Sequence, residues 1–441
     1  MPQYVILVSV PGLRERDLSS MPNLARLATG GGYASLLPSF PAVTCPVQAN
    51  MTTGKRPREH GVVANGFYWR DQRRVEMWTA WNDCILQPQI WDILHDRERS
   101  ITSAAWFPLH SKGSGADYIC TPAPVHNADG SESPWCFTRP DTLYDELQAK
   151  FGHFPLHHFW GPMAGIASSA WIVASAVYTA QKYRPNFFYI YLPHLDYAAQ
   201  KAGPDSKVAK QALADLDAEL EKLIAGLNSA YGETPLWLVA SEYAIVPVDE
   251  VTYPNRILRE AGLLKVSAAE DGELLDLVNS KAWALADHQF SHVFVQDSDP
   301  KTVKRVTRLF GKQAGIAEVL TAESLGEYGL DHVRSGDVVL VSEPNSWQAY
   351  YWWLEDANAP RFARTVDIHR KPGYDPVELF FDARSKTIPL NAKLVKGSHG
   401  APVRTPAQRG VLLSSEPGIF TGGIVPDVDI AGIVLRQFEM E

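Results

Sequence analysis

Short apolar runs that alternate with helix-patterned segments restrict the fold of this chain more than any other feature. YVILVSV (4–10), YASLL (33–37), ITSAAW (101–106), FFYIYL (187–192) and LWLVAS (236–241) are β-branched or aromatic and are bounded by polar residues. Helical patterns at about 21–29, 142–150, 165–182 and 206–228 separate them. Strands spaced by helices build βαβ units, so the expectation is an α/β fold with a mostly parallel central sheet flanked by helices on both faces. Ligands of such sheets gather beyond the carboxyl ends of the strands. Thr44, His194, Asp196, Glu242 and Tyr243 each follow one of these runs closely, which places them at that edge.

The 441 residues suit one large domain with an inserted module as well as two or three domains. With 45% hydrophobic and 21% charged residues the composition is that of a globular chain. A net charge of −9 argues against a general nucleic-acid or anionic-membrane binder. The apolar stretch 166–178 is broken by Ser168, Ser169 and Ser175, so no membrane span is expected. The opening MPQYVILVSV has no basic segment and no small-residue cleavage site, so no signal peptide is expected. The four cysteines, Cys45, Cys84, Cys120 and Cys136, form no C-x-x-C pair. Free thiols and a cytoplasmic setting are the corresponding expectation.

The remaining segments suggest insertions. Residues 107–160, rich in Pro, Gly, Ser and aromatics, read as a long insertion near the site. HVFVQ (292–296), the basic helix KTVKRVTRLFGKQ (301–313) and IAEVL (316–320) read as a small α+β cap over 281–335. The core is then 1–280 with 336–441, in which GDVVLVSE (336–343) and VELFFD (377–382) are further strands. The chain ends in a strand and a short helix.

The stretch PAVTCPVQANMTTG (41–54) sets Thr44 and Cys45 between two prolines at a helix start, with Pro46 at the first helical position and Gly54 at the end. A hydroxyl or thiol there meets unpaired N–H groups and the positive end of the helix dipole, which bind anions and activate nucleophiles. The plain alternative is a capping threonine. Cys45 is an alternative nucleophile if the helix start lowers its pKa.

Five pieces occur in order: VILVSVPGLR (5–14), PAVTCPVQANMTTGKRPREHGVVANGFY (41–68), YLPHLDYAAQKAGP (191–204), LVASEYAI (238–245) and KGSHG (396–400). Together they resemble the alkaline phosphatase superfamily, in its nucleotide pyrophosphatase/phosphodiesterase branch, over most of the chain. The resemblance implies two zinc ions at the sheet edge and a threonine that attacks phosphorus. By that resemblance Thr44 matches the nucleophile and Asn65 the oxyanion donor, while Asp196 and His399 match ligands of the water-side zinc. The departures are Pro11 for an acidic ligand, Gln200 for a histidine, and Glu242-Tyr243 for an Asp-His pair. A two-zinc centre is therefore not expected. The cofactor left open is one divalent metal (zinc, manganese or magnesium) held by Asp196, Glu242 and His399, with His194 a further candidate, since two residues before Asp196 it points the same way on an extended segment.

Tyr68, His194 and Tyr243 are the expected substrate contacts, with Trp69 beside Tyr68. Asp287-His288 and Asp331-His332 are possible acid–base dyads. The segment with Arg364, Asp367, His369, Arg370 and Lys371 is either an anion-binding loop or a set of internal salt bridges. The function implied is hydrolysis of a phosphate ester or related small anion. The alternatives are a non-hydrolytic biosynthetic enzyme (lyase, isomerase or transferase) and a silent binding protein.

Overall fold

The computed structural model describes residues 4–126 and 132–440, so positions 127–131 of the 107–160 insertion lie outside the described residues. Strands β1 (Val5–Ser9), β2 (Gly32–Leu37), β3 (Ser103–Trp106), β4 (Tyr118–Pro122), β5 (Cys136–Arg139), β6 (Phe187–Tyr191) and β7 (Leu236–Ala240) come first. A separate four-stranded sheet follows, from β8 (Ala282–Asp287), β9 (Phe290–Val295), β10 (Ile316–Thr321) and β11 (Val338–Ser342). Strands β12 (Gly410–Ser414) and β13 (Ile424–Pro426) then return to the first sheet. Its order is β13-β2-β12-β7-β1-β6-β3-β4-β5.

The five central strands, β7 to β4 in that order, run parallel. Strand β12 is antiparallel to both β7 and β2. All residues of β1, β6 and β7 are buried, as strands covered on both faces require. The helices that bear on the site or cover the sheet are α1 (Thr44–Thr53), α2 (Ile166–Tyr183), α3 (His194–Ala202), α4 (Lys207–Tyr231), α5 (Pro300–Phe310) and α6 (Asp429–Arg436). On α4, Leu213, Leu216, Leu220, Leu223 and Leu227 recur at three- and four-residue spacing and are buried. Among the described residues no helix is long and apolar enough to cross a membrane.

Register builds the functional edge. Val5 pairs with both Phe187 and Leu236, so Ser9, Tyr191 and Ala240 end level. Position 11, helix α3 and positions 242–243 therefore emerge side by side.

Three expectations change. Residues 107–160 are not only an insertion near the site: β4 and β5 extend the main sheet at its edge. Strand β11, expected in the core, pairs with β9 and β10 in the second sheet. The apolar residues packed around that sheet run from Val248 to Val395 and include Met77, a wider stretch than 281–335. VELFFD is no strand. Pro376–Leu379 makes a 3-10 turn, because Pro376 has no N–H for a ladder and Glu378 turns inward to bond Lys371.

Candidate functional site

Thr44 opens α1, and Val43 holds the cap position without a side-chain cap bond. The Thr44 hydroxyl is thus not used for capping. Pro46 falls at the third helical position rather than the first, where a missing N–H is equally harmless. Gly54 ends the helix at φ 68, in the left-handed region that glycine enters freely. The chain before Thr44 is tied to the 398–400 segment by an Ala42–Gly400 bridge and a 2.8 Å bond between His399 Nδ1 and the Ala42 carbonyl. Gly400 sits at φ +108, and a Cβ there would lie 3.1 Å from Val43.

The side chains around Thr44 form a closed circuit. Thr44 Oγ1 is 2.9 Å from the Tyr243 hydroxyl. The Tyr243 ring lies flat on His399, with centroids 3.5 Å apart. His399 is 3.9 Å from His288, which stacks on Tyr374 at 3.7 Å. The Tyr374 hydroxyl donates to Gln200 Oε1 at 2.6 Å, and Gln200 Nε2 donates to Asp196 Oδ2 at 2.9 Å. Asp196 Oδ1 then faces His399 Nε2 at 3.8 Å, and neither atom has a hydrogen-bond partner.

Two carboxyls lie within this buried region. Glu242 Oε1 accepts from Ser9 Oγ and from Gln48 Nε2, both at 2.7 Å, while Oε2 has no partner. Burial pushes Glu242 up to about 8, against the opposing pull of Ser9, Gln48 and, more weakly, Thr44. Burial likewise raises Asp196 to about 7, opposed by Gln200. His288 and His399 are driven well below the usual imidazole range by burial, so both are neutral.

Asn65 is fixed at both ends. Its Oδ1 accepts from the Cys45 N–H at 3.0 Å, and its Nδ2 donates to Asp287 Oδ1 at 3.0 Å. Asp287, raised to about 6 by burial, also bonds the Asn65 N–H at 2.8 Å and His288 Nδ1 at 2.6 Å. The expected Asp287-His288 pair therefore belongs to the Thr44 circuit. Cys45 is no rival nucleophile: complete burial pushes its thiol well above the ordinary range.

The other expected residues go elsewhere. His194 was placed beside Asp196 on an extended segment, but 194–202 is helical, and residues two apart on a helix point about 200° apart. His194 instead faces Asp215 at 4.0 Å and lines a cavity of about 220 Å³ with Tyr197 and Lys201. Burial lowers its imidazole to about 4. Tyr68 packs on Trp283 and Phe294 at 5.0 and 4.9 Å in the second core, away from Thr44. Trp69 stacks on Phe67. Asp331 pairs with Arg58 at 3.3 Å, and His332 Nδ1 accepts from the Arg334 N–H, so they form no dyad. In the 363–382 segment Lys371 is buried between Asp375 (2.9 Å) and Glu378 (2.5 Å), an internal ion network.

Sequence reasoning missed Ser9, Gln48 and Tyr374. Ser9 ends a central strand and Gln48 lies one turn beyond Thr44, signals that were available. Tyr374, in an irregular segment, gave none.

Among the described residues, no three His, Cys, Asp or Glu side chains come together as a ligand set. Asp196 and His399 face each other, while Glu242 Oε1 is taken by Ser9 and Gln48. The two-zinc centre does not fit these residues.

Residues 5–375 match the family model described as Type I phosphodiesterase / nucleotide pyrophosphatase. An uncharacterised pyrophosphatase/phosphodiesterase of Schizosaccharomyces pombe is 23% identical over 280 residues, covering 60% of this chain. The chain spans about half (48%) of the length of that relative. Among solved structures, phosphonoacetate hydrolase from Sinorhizobium meliloti, in complex with phosphonoformate, is similar at TM-score 0.63 and 17% identity, covering 98% of this chain and 94% of the other. Murine ectonucleotide pyrophosphatase/phosphodiesterase 5, in an inactive form complexed with AMP, is similar at TM-score 0.63 and 14% identity, covering 100% and 96%.

Proposed function

The chain belongs to the type I phosphodiesterase/nucleotide pyrophosphatase family and has the alkaline-phosphatase-like fold, and we propose that it hydrolyses a phosphate ester or related small anion with Thr44 as nucleophile. The observation that carries this reading is the Thr44 hydroxyl, free of capping at the first residue of α1 and paired with the Tyr243 hydroxyl at 2.9 Å. In the attack the Thr44 Oγ1–phosphorus bond forms and the bond to the leaving oxygen breaks. The threonine proton passes to Glu242 in its ionised form, which is the minor form at neutral pH because burial raises this carboxyl to about 8, so the step gains as pH rises toward 8. The second amide proton of Asn65 and the α1 N-terminus offset charge on the phosphoryl oxygens. Water aligned by Asp196 and His399 then cleaves the ester on Thr44. The small-anion class agrees with the phosphonate and AMP ligands of the structural neighbours.

The test is release of a chromogenic phenol from a phosphodiester. Thr44→Ala is expected to lower turnover by on the order of 100-fold or more with the fold intact. Unchanged turnover removes Thr44 from the chemistry. A second reading, a silent binding protein, is favoured by the burial of Thr44, which is only 5% exposed. Its mark is a phosphate ester that raises the melting temperature and is recovered unconverted.

A further inference from the structure

We propose that this site operates without zinc, because amide, hydroxyl and aromatic groups have taken the places and the lone pairs a zinc ion needs. The proposal builds on Thr44 as the functional centre, but its test is read without turnover, so the two ideas fail separately.

Three positions decide it. Pro11 offers no side-chain donor atom. Gln200 is committed at both ends, its Oε1 to Tyr374 and its Nε2 to Asp196, so ligation would break two buried hydrogen bonds. Tyr243 lies flat on His399 with its hydroxyl on Thr44, which fixes a phenol where the resemblance implies an imidazole. One oxygen of each retained carboxyl is already taken by hydrogen-bond donors. Ser9 and Gln48 both donate to Glu242 Oε1, and Gln200 donates to Asp196 Oδ2. A cation competes with those donors for the same lone pairs. Glu242 Oε2 is also without a partner, but among the described residues no three such side chains come together, so Asp196 Oδ1 and His399 Nε2 face each other as a pair, 3.8 Å apart. Two ligands fall short of the three protein ligands that zinc takes even in an open catalytic site.

The experiment is zinc uptake by the whole chain after chelator treatment, read by elemental analysis and by melting temperature. The wild type is expected to retain under about 0.1 zinc per chain at ~10 μM free zinc, with its melting temperature unmoved. Gln200→His, which completes an Asp-His-His set, is expected to take up about one zinc and to melt higher. Uptake of about one zinc by the wild type that is lost in both Asp196→Asn and His399→Ala overturns the proposal. Wild-type zinc that survives both substitutions sits elsewhere and leaves the proposal standing. A folded Gln200→His chain that refuses zinc overturns the assignment of Gln200 as the missing ligand. If the variants do not fold, the wild-type measurement decides alone: zinc-free supports the proposal and zinc-loaded overturns it.

Discussion

The hydroxyls of Thr44 and Tyr243 lie 2.9 Å apart, joining the start of α1 to the loop that leaves β7. The contact crosses 199 residues of sequence and is buried, so it aligns two elements as well as two oxygens. The same Tyr243 ring stacks on His399, which in turn bonds the Ala42 carbonyl two residues before Thr44. Thr44 is therefore positioned from both the phenol and the imidazole side.

Tyr243→Phe separates these roles. The ring stays on His399 while the Thr44 hydroxyl loses its partner, so the expected cost is about 1 kcal/mol in a denaturant melt. Tyr243→Ala also removes the ring and is expected to cost about 3–5 kcal/mol. Equal costs for the two variants would contradict the stacking role.

Stability should fall as pH rises toward 8. Glu242 and Asp196 titrate at about 8 and about 7 in the folded chain, above their ordinary values of 4.5 and 3.8. The folded state then binds more protons than the unfolded state between those limits. The contribution of these two carboxyls is complete below about pH 4 and is lost as pH rises through 7 and 8; the buried neutral imidazoles of His194, His288, His292 and His399 act in the opposite direction below about pH 6.5, so the fall is read between pH 7 and 8. Melting temperature against pH checks this, and Glu242→Gln should flatten the upper part of the curve. A rise between pH 7 and 8 that Glu242→Gln leaves unchanged would contradict it.

Gln48→Ala strips a donor from the buried Glu242 and an acceptor from the Leu109 N–H. The Leu109 N–H loses its acceptor and Glu242 Oε1 keeps only Ser9, so a loss of about 2 kcal/mol is expected in the melt. A change near zero would show that water or another group replaces the amide.

Lys371 is 1% exposed and sits between Asp375 and Glu378. Lys371→Met leaves two buried carboxyls without their cation and is expected to destabilise by about 3–5 kcal/mol. Because the orphaned carboxyls accept protons, part of the loss should return at acidic pH. A pH-independent loss would point to packing rather than charge.

The strands at 5–9, 187–191 and 236–240 were legible because buried parallel strands are unbroken apolar runs, a pattern few other elements share. Thr44, Asp196 and Glu242 were placed at the sheet edge because they follow apolar runs, and Asn65 and His399 were named only through the family pattern. His194 was misplaced because a backbone read as extended is helical, which reverses the face of every second residue. Tyr68 was misplaced because an aromatic beside a motif packs as well into a core as into a pocket. Tyr374 reaches Gln200 across 174 residues from an irregular segment, and no local period announces such a contact.

The most direct measurement is the mass of the intact chain after acid quenching during turnover of a nitrophenyl phosphodiester, followed by peptide mapping. A phosphoryl-ester adduct on the peptide that carries Thr44, absent from Thr44→Ala, is the predicted result. Steady release of nitrophenol by both proteins with no adduct on that peptide would contradict the assignment of Thr44 as nucleophile.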